Sequence, residues 1–212
     1  PYRVGSDRAN SAQRLADRVM FDRPSLHDHF RCQPQIIGVC DSLCDYGLRV
    51  QTQPVESPPI DALSARVTLL SIHGEQERLR GSWWNGAELR VVENLLMDLS
   101  RAGVDWSDIA VITPYVGQLE RLRDALRAAR IPWQGAEYFD EQRIQEDGVA
   151  LGTVHRFQGG ERRFVIFSTV VTRHRSLGFL NDRVNLVNVA VSRAREQFFT
   201  VGDADVLKEG RF

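Results

Sequence analysis

Arginine supplies nearly all of the positive charge of this 212-residue chain. Of its 27 basic residues only Lys208 is a lysine, so 26 are arginines, set against 28 acidic residues. A guanidinium group is planar, permanently charged and able to donate paired hydrogen bonds, so it suits phosphate oxygens. A Gly-rich phosphate loop needs a lysine followed by Ser or Thr. Because Glu209 follows Lys208, the chain has no such loop, and we expect arginines to carry any phosphate chemistry.

The arginines are unevenly distributed. Residues 150–195 contain 8 arginines and 2 acidic residues, a net charge of +6, whereas residues 1–114 contain 12 arginines and 15 acidic residues, a net charge of −3. The whole chain has a net charge of −1 and offers no global attraction to a polyanion. We therefore expect residues 150–195, rather than the chain as a whole, to supply the surface that faces phosphates.

The polar segments that could position functional groups follow predicted strands. We predict strands over residues 66–73, 109–113, 148–154, 164–171 and 197–201, the first of them buried. We predict helices over 10–21, 35–44, 86–102, 114–129 and 182–195, and a Pro-rich loop over 51–64. Asn85 should cap the third helix and Gly103 should end it. Apolar strands that alternate with amphipathic helices indicate a parallel α/β sheet covered on both faces, whose carboxyl ends gather ligands.

Four segments, in order, resemble motifs of the second RecA-like domain of superfamily 1 helicases. They are Phe30-Arg31-Cys32-Gln33-Pro34, Ile112-Thr113-Pro114-Tyr115-x-x-Gln118, Gly152 to Glu161, and Gly178 to Asp182 together with Asn188 to Arg195. The similar branch is the one that contains the nonsense-mediated-decay helicase and its bacterial relatives. The resemblance implies a RecA-like three-layer α/β sandwich, a P-loop NTPase-type fold without its own P-loop. We expect residues 1–212 to form one such domain.

The resemblance also implies a role for each motif residue. Arg31 and Arg193 would be arginine fingers that reach the γ-phosphate of ATP, while Phe30, Gly159 and Glu161 would contact the nucleotide, Phe30 near the adenine and Glu161 at the ribose. Thr113, Tyr115, Gln118, Thr153 and His155 would face single-stranded nucleic acid. His155 departs from the pattern, because many relatives have Asp there. ATP with Mg²⁺ would bind between this chain and a preceding RecA-like domain that carries the phosphate loop and the Mg²⁺ carboxylates.

Less specific interpretations remain for the charged residues. On a helix, Arg193 and Arg195 at i, i+2 cannot share one face, so we expect Arg193 to act and Arg195 to be a local ion-pair partner. Arg193 could instead be a solvated surface arginine, and Arg31 a cap or surface ion pair. Glu161 could form a salt bridge with a neighbouring arginine.

Three other features have alternative interpretations. His27, His29, Cys32, Cys40 and Cys44 could bind zinc, but the chain has no Cys-x-x-Cys pair, and we expect buried thiols and no metal. Trp83-Trp84 could stack on bases, although a packing role before a helix is the expectation. Glu137 to Gln142 looks like the Asp-Glu end of a Walker B strand, yet without a phosphate loop we expect an acidic surface loop.

We therefore predict the second motor domain of an ATP-dependent DNA or RNA helicase, inactive in isolation. The alternative is a helicase-derived nucleic-acid-binding or interaction module without ATPase activity. Three cysteines and no apolar run of about 20 residues favour a reducing, cytoplasmic location without membrane insertion. A chain that begins at Pro1 is expected to be a fragment of a longer protein.

Overall fold

The computed structural model describes residues 27–44, 47–55, 58, 60, 63–135, 148–157 and 160–210. The strands are β1 (Asp28–His29), β2 (Arg49–Val50), β3 (Val67–Ser71), β4 (Gln76–Leu79), β5 (Ser82–Asn85), β6 (Ile109–Thr113), β7 (Trp133–Gly135), β8 (Val149–Thr153), β9 (Arg162–Ser168) and β10 (Ala194–Gly202). The helices are α1 (Pro34–Cys44), α2 (Gly86–Arg101), α3 (Val116–Ala128), α4 (Leu177–Asn181), α5 (Val184–Val191) and α6 (Ala204–Leu207).

Six of these strands form one parallel sheet, in the order β3-β10-β9-β6-β8-β7. Side chains alternate across it, as the two-residue period of a strand requires. Ala110 and Ile112 of β6 pack on the face covered by α1 and α5. Ile109 and Val111 pack on the opposite face, against α2 and α3. This confirms the predicted α/β RecA-like architecture, with a parallel sheet between two helical layers.

Helix α2 begins where the sequence predicts. The Asn85 side chain accepts hydrogen bonds from the amides of Ala87 at 2.9 Å and Glu88 at 3.3 Å, which satisfies donors that have no partner within the helix. At the other end, Gly103 adopts a φ of +83°, a conformation that glycine reaches without a Cβ penalty. Helix α1 is also confirmed, and α3 begins two residues later than predicted, with Tyr115 as its N-cap.

Two predictions about elements were wrong. Strand β3 lies at an edge of the sheet and is partly exposed, with Leu69 47% accessible, because only β10 pairs with it. The last predicted helix stops at Val191, so Arg193 precedes a strand and Arg195 belongs to β10. The argument that helical spacing separates these two arginines therefore does not apply.

Short strand pairs complete the described structure. Strands β4 and β5 form an antiparallel hairpin, and β1 pairs with β2 in parallel. Strand β7 pairs with β8 at the other edge of the six-stranded sheet and is partly exposed. The predicted helix over 10–21 and the acidic segment from Glu137 to Gln142 lie outside the described residues. Within the described part of the chain, every helix is too short or too polar to cross a membrane.

Candidate functional site

Glu161 is the centre of a charged cluster at the amino end of β9. Its Oε2 atom lies 2.6 Å from Nε of Arg31, and its Oε1 atom lies 3.9 Å from Nη1 of Arg195. The amide of Gln33 donates to the carbonyl of Arg195 at 2.9 Å, which fixes the turn that carries Arg31 beside β10. Arg163, a neighbour expected as an alternative partner, binds Glu196 and Asp108 instead. The carboxylate of Glu161 therefore brings together residues from two distant motifs.

Arg193 lies beside this cluster and is held by hydrogen bonds to main-chain and side-chain oxygens. Its Nε donates to the carbonyl of Val189, its Nη1 to the carbonyl of Gly160 and its Nη2 to Oγ of Ser192, each at 3.1 Å. Partial burial lowers the pKa of the Arg193 guanidinium, and the nearby charge of Arg31 lowers it further. A pKa lowered from such a high starting value still leaves the group charged at neutral pH. The structure thus places a second fixed cation next to the Arg31–Glu161 pair.

Phe30 and Gly160 are the neighbours of Arg31 and Glu161 in the chain. The ring of Phe30 is 72% exposed, an unusual position for a large apolar side chain. Gly159, predicted to contact the nucleotide, lies outside the described residues, but Gly160 is described and accepts the bond from Arg193. An exposed aromatic side chain thus directly precedes the arginine that pairs with Glu161.

The structure corrects the expected position of this cluster. The segments that follow predicted strands, which include Glu161 and Arg193, were expected near the carboxyl ends of the strands. Instead, Arg162 and Ala194, which follow Glu161 and Arg193, begin β9 and β10 and pair with each other. Thr113 and Thr153 end β6 and β8 at the opposite end of the sheet. A seven-residue strand spans roughly 20 Å, so the two predicted sets are well separated.

At the carboxyl end, only some of the predicted nucleic-acid residues reach the surface. His155 is exposed, while Tyr115 and Thr153 are nearly covered. Thr113 and Gln118 are fully buried, so their side chains present no atom to a nucleic acid in this structure. The ring centres of Tyr115 and Phe179 lie 5.2 Å apart. The guanidinium carbon of Arg183 lies over the Phe179 ring, 4.5 Å from its centre.

Gln118 instead belongs to a buried hydrogen-bond network. Its Oε1 accepts from the amide of Asn85 at 2.9 Å, and its Nε2 donates to Oγ of Ser168 at 3.0 Å. The Ser168 hydroxyl donates to Oε2 of Glu88 at 2.6 Å. The network joins the start of α2, the first turn of α3 and the end of β9. Gln118 therefore positions these elements.

Sequence reasoning missed Glu88, which is fully buried in this network. The signal was the Asn85-x-x-Glu88 spacing, which resembles a capping box at the start of a helix. In a capping box the glutamate would bind the amide of the cap residue, but Gln118 occupies that amide here. Glu88 instead accepts from the hydroxyls of Ser168 and Thr169.

Burial raises the pKa of Glu88 to about 7, and the hydrogen bonds from Ser168, Val170 and Thr169 oppose that rise. Val170 adopts a φ of +66°, which is rare for a β-branched residue. The carboxylate of Glu88 thus supports a strained turn directly after β9. Strained backbone of this kind is concentrated at functional sites.

Two of the three cysteines, Cys32 and Cys40, are part of the core, and Cys44 is partly exposed. Cys32 and Cys40 are buried, and their Sγ atoms lie 3.8 Å from the carbonyls of Ser192 and Asn188. Burial raises the pKa of Cys32 to about 11 and that of Cys40 to about 12, so both are neutral thiols. Nε2 of His29 accepts from the amide of Cys32 at 2.8 Å. These contacts favour packing over zinc binding.

The tryptophans have both a packing and a surface role. Trp83 packs partly against the core, as expected for an anchor. The guanidinium carbon of Arg78 lies 4.8 Å from the centre of its ring, and that of Arg121 lies 4.8 Å from the ring of Trp84.

The chain is similar to known helicases over most of its length. Residues 12–205 match the model of the AAA domain family. The chain is 28% identical over 221 residues to the 5'-3' DNA helicase ZGRF1 of Mus musculus, covering 100% of this chain and 11% of that protein. It is 34% identical over 129 residues to a regulator of nonsense transcripts 1 homolog of Arabidopsis thaliana, covering 60% of this chain and 10% of that protein.

A solved structure of the C-terminal domain of a possible DNA helicase from Lactobacillus plantarum WCFS1 aligns with a TM-score of 0.49 at 18% identity, covering 82% of this chain and 87% of that one. The chain spans about a tenth of the length of the two curated relatives. The match over residues 12–205 shows that the chain belongs to the AAA domain family and is homologous to superfamily 1 helicases, as its motifs indicated.

Proposed function

We propose that this chain is the second motor domain of an ATP-dependent nucleic-acid helicase or translocase. It would act on ATP and Mg²⁺ held between it and a preceding RecA-like domain. The observation that supports this most strongly is the convergence of Arg31, Arg195 and Arg193 around Glu161. These residues come from the first and last motifs of the chain, and the fold brings them to one surface.

The surface has the chemistry that phosphoryl transfer needs from a second domain. Transfer of a γ-phosphoryl group to water depends mainly on positioning and on neutralising the charge of its oxygens. Arg193 offers a fixed cation beside Glu161, and Arg31 would exchange its bond to Glu161 for phosphate oxygens. Glu161 would then accept hydrogen bonds from the ribose hydroxyls. The exposed ring of Phe30 would provide an apolar face for the adenine.

The remaining groups must come from another domain. The only lysine, Lys208, lies just after α6, 2.7 Å from Asp205, so no Walker lysine is available in this chain. In the proposal the Mg²⁺ carboxylates also belong to the preceding domain. This chain would supply the arginine fingers that sense the γ-phosphate.

Nucleic acid would bind at the opposite, carboxyl end of the sheet. His155 is exposed there, and the covered hydroxyl of Thr153 and the ring of Tyr115 lie close to the surface. Thr113 and Gln118 would act indirectly, by fixing the backbone that carries these groups. Backbone and hydroxyl contacts to phosphates do not read sequence, so the proposal covers either DNA or RNA.

Replacing Arg193 in the full-length protein tests this proposal. Because the finger would act on transition-state charge, Arg193→Ala should lower kcat for ATP hydrolysis by about 10³-fold with little effect on ATP binding. Arg193→Lys keeps the charge but loses the planar fork, and most of the loss should remain. Arg101→Ala removes an exposed arginine that pairs with Asp98 on α2 and should have no effect. Wild-type turnover in the folded Arg193→Ala protein would refute the role.

One observation favours the alternative of a binding module without ATPase activity. All three nitrogen atoms of the Arg193 guanidinium already donate hydrogen bonds within the chain, and an arginine with a purely structural role would do the same. The upstream reading frame separates the two functions. A G-x-x-x-x-G-K-[ST] sequence followed by an Asp-Glu strand supports the motor, and the absence of both supports the module.

A further inference from the structure

We propose that a basic groove between the β4–β5 hairpin and α3, here called the hairpin groove, is a second contact surface for the phosphates of a nucleic acid. The inference rests on the proposed function, and it adds a surface that none of the helicase motifs contains. The groove has a volume of about 330 Å³. Its charged lining consists of Arg80, Glu120, Arg121, Arg123, Asp124 and Arg127.

The groove has a surplus of positive charge. Four arginines face two acidic residues, which leaves a formal charge of +2. Arg80 lies 3.8 Å from Glu120 and Arg127 lies 3.1 Å from Asp124, so each carboxylate is matched by one arginine. A surplus of cations in a concave surface attracts a polyanion.

Two of the arginines are held by aromatic rings. The guanidinium carbon of Arg121 lies 4.8 Å from the ring centre of Trp84, and that of Arg123 lies 5.5 Å from the ring centre of Trp133. For Arg121, stacking on Trp84 fixes the plane of the guanidinium and leaves its edge pointing away from the ring face, where it can donate hydrogen bonds to anions. Since a guanidinium already covers the ring of Trp84, phosphate contact fits this groove better than base stacking.

The hairpin tip places an arginine in a strained conformation. Leu79 pairs with Ser82, and the two residues between them, Arg80 and Gly81, have φ values of +47° and +83°. A two-residue turn with both φ values positive favours Asn, Asp or Gly at its first position, so an arginine there is strained. The side chain of Arg80 is nevertheless 82% exposed at the edge of the groove. A charged side chain kept at a strained, exposed position points to a use in binding.

The groove adjoins the surface proposed to bind nucleic acid. The amide of Gly117 donates to Oγ of Ser82 at 3.0 Å, so the hairpin lies on the first turn of α3. The preceding residues, Tyr115 and the exposed Val116, are at the carboxyl end of β6. From there, Arg121 and Arg127 lie roughly 9 Å apart along α3, within the reach of successive phosphates. A single-stranded nucleic acid bound at the carboxyl end of the sheet would therefore extend into the hairpin groove.

The test measures binding of single-stranded oligonucleotides by the full-length protein over a range of salt concentrations. Arg80→Gln, Arg121→Gln and the double variant are compared with Arg101→Gln, which removes an exposed arginine from the far end of α2. We expect the double variant to raise Kd about tenfold or more and to lower the slope of log Kd against log salt by about 2. The Arg101→Gln control should match the wild type.

The outcomes distinguish this inference from the proposed function. If the wild-type protein binds no nucleic acid, the proposed function fails. If it binds and the double variant has the same Kd and salt slope, only the groove inference fails, in favour of a different partner such as an acidic protein. Arg121→Lys keeps the charge and should keep the salt slope. Loss of the slope in this variant, with unchanged thermal stability, would also overturn a phosphate contact.

Discussion

At the scale of single residues, Glu88 is a fully buried acidic group that accepts hydrogen bonds from the turn after β9. Its carboxylate accepts bonds from Ser168 and Thr169 at the turn after β9, where Val170 has a φ of +66°. Removing a carboxylate from water disfavours the charged form, and the surrounding donors recover only part of that cost. Glu88 therefore titrates with a pKa of about 7, compared with an ordinary value of 4.5.

This shift predicts a pH dependence of stability. Between about pH 4.5 and pH 7 the folded chain holds a proton on Glu88 that the unfolded chain has lost, so the free energy of unfolding should fall as pH rises. The effect is on the order of a few kcal/mol. Glu88→Gln cannot titrate, and its unfolding free energy should lack this decline. Urea unfolding at pH 5 and pH 8 measures the change in unfolding free energy of each protein. Subtracting the change in Glu88→Gln from that in the wild type removes the contribution of the other titrating groups. Parallel pH profiles for the two proteins would contradict the assignment.

At the scale of elements, the docking of the hairpin on α3 depends on one glycine. A Cβ atom at Gly117 would lie 2.9 Å from the backbone oxygen of Trp83 and 3.3 Å from Cβ of Ser82. A backbone atom cannot move aside as a flexible side chain can. The hairpin and the helix approach each other this closely because position 117 has no side chain.

A pair of glycine substitutions checks this packing. Gly117→Ala should force the hairpin away from α3 and destabilise the chain by about 1–3 kcal/mol, the usual cost of overpacking. Gly38 lies in α1, and apart from the adjacent helix backbone no atom lies within 4 Å of the position that a Cβ would take, so Gly38→Ala should stabilise by about 0.5–1 kcal/mol through helix propensity. Chemical denaturation compares the two variants. If both variants changed the free energy of unfolding in the same direction, close packing at Gly117 would not explain the effect of Gly117→Ala.

The sequence predicted the elements that have a strong local signal. Strand β6 is a continuous apolar run, and α2 has both a cap residue and a terminal glycine, so each was predicted within a residue or two. The edge position of β3 was missed because it depends on which strands are neighbours. The end of α5 was missed because Ser192 to Arg195 continue a helical pattern, while pairing of Ala194 with Arg162 makes that segment a strand.

The sequence named the residues of the candidate cluster but not the contacts between them. The motif resemblance named Arg31, Glu161 and Arg193, and the structure places them together. The sequence could not show that the Arg31 side chain pairs with Glu161. These residues are brought together by the pairing of strands β9 and β10, which no local pattern predicts. Glu88 was missed for the same reason, since its partners follow β9, some 80 residues later in the chain.

At the scale of the whole molecule, the two proposed sites lie at opposite ends of the sheet. The arginines and Glu161 lie at the amino ends of β9 and β10, and the proposed nucleic-acid surface lies at the carboxyl ends of β6 and β8. Strands packed on both faces transmit displacement as rigid bodies. In the proposed motor, a change in how the preceding domain contacts the arginines would therefore move the proposed nucleic-acid surface as a unit, as translocation requires.

If the nucleotide site is shared with a preceding domain, as we propose, this 212-residue chain alone does not hydrolyse ATP. Its one lysine is exposed and paired with Asp205, and guanidinium groups without a phosphate loop or Mg²⁺ carboxylates can neutralise charge but cannot assemble the reacting groups. Phosphate release by the isolated chain should equal background, and adding the preceding domain from the same protein should restore turnover. The same mixture with Arg193→Ala should stay near background. Turnover by the isolated wild-type chain would show that it holds a complete nucleotide site, and the proposed sharing of the site would be wrong.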